Sequence, residues 1–154
     1  GIAAQPATGG PTIMDVNSGF MRGPLGLTEI YPDVRYSPAE YAAYASVFDR
    51  AAEEIKKEFG GAVKELFFSA PTFVTREVGN PEWQPAEIHD EYWHRHVDKD
   101  NTEHYDYSGL LYLSDFGTDF EGGRLAFFED VVGDDEGGRD LVGTVEPRRG
   151  RFAF

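Results

Sequence analysis

The chain has 154 residues and a mass of 17.2 kDa, which is enough for one domain with its own hydrophobic core. Its 28 acidic side chains outnumber its 14 basic ones, so the net charge is −14 at pH 7 with neutral histidines. We therefore expect neither nucleic acid nor anionic lipid as a partner, because phosphate groups repel so acidic a protein. The chain contains no cysteine, which excludes disulfides, cysteine-ligated metals and a thiol nucleophile. It also contains no run of 18 apolar residues, so the sequence predicts no membrane-spanning segment.

Residues 1–36 are predicted to form an irregular N-terminal arm, in which 12–36 are extended or looping, because glycines and prolines interrupt the apolar positions. A helix is predicted over 38–59. Ser37 is typical of an N-cap, Pro38 is typical of a first helical residue, and a glutamate three residues after the cap completes a capping box. Apolar side chains follow at helical spacing, so we expect one face of this helix to lie against the core.

Short β-rich runs separated by turn residues follow the helix. They predict strands over 65–70, 72–78, 105–113, 124–129, 141–145 and 151–154. One helix packed against many short antiparallel strands favours an α+β fold, either a helix-flanked β-sandwich or a jelly roll. The acidic, glycine-rich stretch 130–140 is interpreted as a solvated hairpin connection, because its acidic residues lack the spacing of an EF-hand loop.

All four histidines lie in one short stretch of the chain, at His89, His94, His96 and His104. In an extended strand, residues two positions apart share a face, so His96 and Asp98 would reach one metal ion together. One imidazole and one carboxylate are two of the three protein ligands of a 2-His-1-carboxylate iron site. His94 would share that face, so a His-x-His metal site is an alternative. His89 and His104 are interpreted as loop or surface residues.

Three further motifs follow in a fixed order, at 108–115, 120–128 and 145–154. Together with the His-x-Asp at 96–98, they resemble the prolyl 4-hydroxylase-like family of 2-oxoglutarate- and iron-dependent oxygenases. Within that family, they resemble the group named 2-oxoglutarate and iron-dependent oxygenase domain-containing protein 3. The resemblance runs from about Leu66 to Phe154 and implies a double-stranded β-helix, or jelly roll, with the helix over 38–59 flanking one sheet.

The resemblance also implies the cofactors and the residues that hold them. Fe(II) and 2-oxoglutarate would be the cofactors, with ascorbate as an additional reductant. His96 and Asp98 would be the first two iron ligands. Tyr112 would bind the distal carboxylate of 2-oxoglutarate, and Ser108 would line the same pocket.

Residues 37–154 are accordingly expected to be part of an oxygenase domain whose distal histidine, basic co-substrate anchor and last barrel strand would follow Phe154. With that segment, the resemblance implies a dioxygenase that hydroxylates a protein or peptide side chain, with proline as the family-level expectation. Without it, the alternative is a catalytically inactive accessory or structural subunit, whose C-terminal edge strand a partner subunit would cover. A third hypothesis is a cupin-type metal protein that uses His94, His96 and His104. Family analogy suggests the secretory-pathway lumen or another organelle as the location.

Overall fold

The computed structural model describes residues 12–23, 26–68, 72–77, 79, 82–84, 95–101, 103–130 and 139–154. The chain divides into two compact units, Gly1–His94 and Arg95–Phe154. The helices and strands are β1 (Thr12–Asp15), β2 (Phe20–Gly23), β3 (Gly26–Glu29), α1 (Pro38–Phe59), β4 (Phe73–Arg76), α2 (Asp98–Asn101), β5 (Leu110–Leu111), β6 (Leu125–Asp130), β7 (Arg139–Val145) and β8 (Phe152–Ala153). Antiparallel strands combined with one long helix confirm the predicted α+β class.

The first unit contains a four-stranded antiparallel sheet in the order β3-β2-β1-β4. Three of these strands lie within 12–29, which makes this stretch more regular than the irregular arm that its sequence predicts. Each strand has only four residues, so the alternation of apolar and polar positions is too short to be distinctive. The carboxylate of Asp15 accepts a hydrogen bond from the main chain of Thr72 at 3.0 Å, just before β4, and so ties β4 to the end of β1.

The predicted helix is confirmed with the predicted bounds. The main-chain N–H of Glu40 donates to Ser37 Oγ at 3.3 Å, and the N–H of Ser37 donates to Glu40 Oε2 at 2.8 Å, which completes the capping box. Ala51 and Ile55 are buried, whereas Tyr41, near the start of the apolar stripe, is half exposed. The buried residues of α1 therefore lie in its C-terminal half.

Phe48 of α1 packs its ring edge-to-face against Phe68, with the two ring centroids 4.3 Å apart. Phe68 lies in the segment 65–70, for which the sequence predicts a strand. This prediction is wrong over 65–68, because these residues form no strand. Residues 69 and 70 lie outside the described residues. Phe68 therefore contacts the helix, whereas its neighbour Phe67 is exposed. The predicted strand 72–78 is confirmed in a shorter form as β4.

The second unit contains two antiparallel strand pairs, β5–β8 and β6–β7. β6 and β7 pair over the whole length of β6, with a bulge between Phe127 and Phe128. β5 and β8 pair over two residues only, and the predicted strand 105–113 is wrong outside this short segment. Tyr112 extends the pairing, because its main-chain N–H donates to Arg151 O and its carbonyl accepts from Gly150 N, both at 2.9 Å.

Glycine and proline residues lie in the turns of the second unit. Gly122 and Gly123, which precede β6, have φ values of +77° and +62°, a backbone conformation that glycine adopts without strain. Pro147 is completely buried, and its carbonyl accepts a hydrogen bond from the main chain of Phe116 at 3.1 Å. The predicted hairpin connection lies outside the described residues at 131–138. In the described part of the chain, no helix combines the length and the apolar character needed to cross a bilayer.

Candidate metal centre

The imidazole of His96 and the carboxylate of Asp98 lie side by side. His96 Nε2 is 3.4 Å from Asp98 Oδ1. The side chains are 39% and 48% exposed, so both can be reached from solvent. The predicted strand conformation at these positions is wrong, because Asp98 is the first residue of α2 and 95–97 form no strand. The predicted pairing of the two side chains is nevertheless present.

The segment that carries His96 is attached to β6 by its neighbour in the chain. The guanidinium carbon of Arg95 lies 4.1 Å above the centre of the Phe128 ring. This is the geometry of a cation–π contact, in which a guanidinium is attracted to the face of an aromatic ring. The bulge in β6 lies next to Phe128. Strand β6 therefore contacts the residue that precedes His96.

Ser108 contacts the second oxygen of the Asp98 carboxylate. Ser108 Oγ donates to Asp98 Oδ2 at 2.5 Å, while Oδ1 of the same carboxylate faces His96. The family resemblance predicts Ser108 as a residue of the co-substrate pocket, and its contact with a candidate metal ligand was not foreseen. Asp98 lies in the short helix α2, and Ser108, ten positions later, lies in an irregular segment. The helical or strand periodicity of the sequence therefore does not predict their contact.

The arrangement of His96 and Asp98 fits two ligands of one metal ion. Metal–ligand distances to imidazole nitrogen and carboxylate oxygen are about 2.0–2.2 Å, so two ligand atoms at right angles are about 3 Å apart. The observed 3.4 Å needs little adjustment to meet this value. An imidazole and a carboxylate are also the donor types of the facial iron site. Among the residues that the structure describes, no group of three possible metal ligands occurs, so these two are a partial set.

The other predicted site residues differ in how far the structure describes them. Tyr112 directly follows β5 and is half-buried, with both main-chain polar groups bonded to the chain before β8. His104 is exposed in a turn, as its interpretation as a surface residue requires. His89 and His94 lie outside the described residues, so the His-x-His and cupin-type alternatives stay predictions.

A small cavity of about 200 Å³ lies beside the carboxylate of Asp98. Ser108 lines it, together with the half-buried Tyr105 and Tyr107. Lys99 also lines the cavity and forms an exposed ion pair with Asp106, with Nζ and Oδ1 3.0 Å apart. The site therefore combines two candidate metal ligands with an adjacent recess that has aromatic and polar walls.

Comparison with known proteins finds several homologues of the chain, which share one name. The protein called "2-oxoglutarate and iron-dependent oxygenase domain-containing protein 3" from Rattus norvegicus is 35% identical over 160 residues, that from Xenopus tropicalis 36% over 161, and that from Homo sapiens 35% over 163. Each alignment covers 100% of this chain. This chain is a homologue of that group. The resemblance predicted from the motifs is therefore confirmed.

The chain spans about half the length of these relatives, 47% of the rat protein and 46% of the human one. No family model matches the chain, and no solved structure matches it. The similarity to this oxygenase group therefore rests on sequence identity over the whole chain.

Proposed function

We propose that the chain carries part of the catalytic domain of an Fe(II)- and 2-oxoglutarate-dependent dioxygenase that hydroxylates a protein or peptide side chain. The observation that carries the proposal is the approach of His96 Nε2 to Asp98 Oδ1 at 3.4 Å. This pair supplies two of the three protein ligands of a facial iron site, and it occurs in a homologue of proteins whose names state oxygenase, 2-oxoglutarate and iron. Proline is the side chain that the family resemblance favours as substrate.

The proposal includes a jelly-roll arrangement of the second unit. In a jelly roll, a long hairpin is folded over, so that the first strand pairs with the last and the inner strands pair with each other. The pairs β5–β8 and β6–β7 have this nested order. The nesting supports the proposed arrangement. Ser108, which lies just before β5, contacts the candidate ligand Asp98.

Each residue of the site has a proposed role that follows from its chemistry. His96 and Asp98 would hold the iron, and the anionic carboxylate would offset part of its charge. Bound iron, 2-oxoglutarate and O₂ would together supply the oxidation of a substrate C–H bond. The Tyr112 hydroxyl would donate a hydrogen bond to the distal carboxylate of 2-oxoglutarate, as the resemblance implies. The partial exposure of the two ligands leaves room for both co-substrate and substrate to approach.

The cavity beside Asp98 supports a side chain as the group that reacts. Its volume of about 200 Å³ is large enough for one amino-acid side chain. Tyr105 and Tyr107 offer aromatic faces for apolar contact, and the exposed ion pair of Lys99 and Asp106 offers polar contacts to a peptide backbone. A peptide could thus insert one residue beside the metal ligand while its main chain stays at the surface.

The proposal is tested by metal binding and turnover in the native protein that carries this sequence. His96→Ala and Asp98→Ala should each abolish conversion of 2-oxoglutarate to succinate and weaken Fe(II) binding, while His104→Ala, the control, should leave both unchanged. Retention of wild-type turnover by His96→Ala would refute the assignment. A loss of metal affinity in His94→Ala equal to that in His96→Ala would favour the His-x-His site instead.

A further inference from the structure

We infer that Ser108 is a positioning residue for the metal ligand Asp98, an inference that rests on the proposed function. Ser108 Oγ lies 2.5 Å from Asp98 Oδ2, whereas Asp98 Oδ1 points to His96. The hydroxyl thus occupies one carboxylate oxygen and leaves the other directed at the position where His96 and Asp98 converge.

A hydrogen bond of this kind decides how a carboxylate binds a metal. A free aspartate rotates about its side-chain bonds and presents either oxygen, or both, to an ion. A hydroxyl that donates to an anionic oxygen forms a short, charge-assisted bond, which holds the carboxylate plane in one orientation. Groups that orient metal ligands in this way typically change metal affinity by about 10–100-fold when they are removed. We expect an effect of this size at Ser108.

The position of Ser108 is itself fixed by strand pairing. Its neighbour Gly109 packs directly against the ring of Phe152 in β8, where an added Cβ would lie 2.6 Å from Phe152 Cζ. Leu110, the next residue, pairs with Ala153. The β5–β8 pair therefore presents the Ser108 hydroxyl from a well-defined position to a carboxylate that lies at the start of a four-residue helix.

A second link joins the same two segments. Lys99, which follows Asp98 in α2, forms an ion pair with Asp106, two residues before Ser108. Exposed ion pairs of this kind contribute little to stability, about 0–1 kcal/mol. Of these two links, the hydrogen bond from Ser108 contacts the carboxylate of Asp98 itself, whereas the ion pair keeps the two segments adjacent.

The role is tested by Co²⁺ binding to the native protein in the absence of 2-oxoglutarate, with calorimetry for affinity and the visible absorption of bound Co²⁺ for ligand geometry. Ser108→Val and Ser108→Thr form a matched pair, because the two side chains have the same shape and differ in the hydroxyl. Ser108→Val should bind Co²⁺ about 10–100-fold more weakly and shift its spectrum, whereas Ser108→Thr should retain most of the affinity and the wild-type spectrum. Ser114→Ala, at an exposed serine of the same unit, is the control and should leave both unchanged.

Two other outcomes would overturn the inference in distinguishable ways. Wild-type Co²⁺ affinity in Ser108→Val, combined with a raised KM for 2-oxoglutarate, would mean that Ser108 contacts the co-substrate and does not orient Asp98. Equal loss of affinity in the valine and threonine variants would indicate a packing effect. A different result would contradict the proposed function itself: unchanged Co²⁺ binding in both His96→Ala and Asp98→Ala.

Discussion

The main-chain N–H of Arg149 donates a hydrogen bond to Asp115 Oδ1 at 2.8 Å, across 34 residues of sequence. The side chain of Arg149 contacts the same carboxylate only loosely, with Nε 3.9 Å from Oδ2, and is 67% exposed. Asp115 thereby holds the turn that leads into β8 against the turn that precedes β6. This hydrogen bond and the main-chain bond from Phe116 to Pro147 O together hold the two turns against each other.

The difference between the main-chain and side-chain contacts of Arg149 predicts unequal effects of the two alanine substitutions. Asp115→Ala leaves the N–H of Arg149 without its acceptor and should lower the free energy of unfolding by about 1–2 kcal/mol. Arg149→Ala keeps that N–H and removes exposed ion pairs with Asp115 and Asp119, so it should cost about 0–1 kcal/mol. Urea denaturation of the two variants measures both values. Equal costs would show that the arginine side chain matters as much as the turn.

The close packing of Gly109 against Phe152 predicts that alanine is destabilising at Gly109 but tolerated at another glycine of the same unit. Gly109→Ala inserts a methyl group 2.6 Å from the ring of Phe152, and such overpacking typically costs about 1–3 kcal/mol. Gly143→Ala in β7 is the control, because no described atom lies within 4 Å of an added Cβ there. Thermal unfolding should show a lower Tm for Gly109→Ala alone. Since Ser108 adjoins Gly109, Co²⁺ affinity should fall in the same variant.

The capping box of α1 predicts a loss of stability on Ser37→Ala. Removal of an N-cap side chain costs about 1 kcal/mol, because a main-chain N–H of the first turn loses its acceptor. Ser46→Ala, in the middle of the same helix, is the matched control, because its hydroxyl only donates back to the carbonyl of Ala43. Alanine is the stronger helix former, so this control should be neutral or slightly stabilising. Both effects can be measured by chemical denaturation followed by far-UV circular dichroism.

Asp15 predicts a dependence of stability on pH. Burial raises the pKa of its carboxyl, but hydrogen bonds from Ser18, Asn17 and Thr72 outweigh burial and lower the pKa below the ordinary value of 3.8. The unfolded chain therefore binds the proton more readily, and the stabilisation is full above pH 3.8 and disappears as pH falls through the lower folded value. Asp15→Asn should reduce stability at neutral pH and flatten its decline in acid. Unfolding by urea from pH 7 to pH 2.5 tests this, with Asp49→Asn on α1 as the control.

Local signals in the sequence were sufficient for some of these features. The helix bounds follow from Ser37 and the glycines after residue 59, because caps and helix ends depend on neighbouring residues. The tight turn at Gly122 follows from the need for a positive φ. The side chains of His96 and Asp98 lie close together although the predicted strand is absent. Two residues that are only two positions apart can bring their side chains together in more than one backbone conformation.

Features that depend on distant contacts could not be predicted. Pairing in β5 is limited to two residues by its partner β8, so its length is not encoded in the apolar run over 105–113. The segment 65–68 has a β-rich composition but forms no strand, and its Phe68 contacts Phe48 of α1 instead. The bond from Ser108 to Asp98 arises only when β5 and α2 are brought together by the fold.

The sheet order of the first unit also has a consequence for synthesis of the protein. β1 pairs with β2, which follows it closely in the chain, but its second neighbour in the sheet is β4. Asp15, at the end of β1, and Thr72, just before β4, are 57 positions apart in the sequence. The ribosome therefore completes α1 before β1 acquires its second neighbour. Until then, the nascent chain exposes an unpaired strand edge beside Met14, a side chain that the folded protein buries. Such edges pair readily with other chains, so β1 is a segment where chaperone binding would protect the growing polypeptide from aggregation.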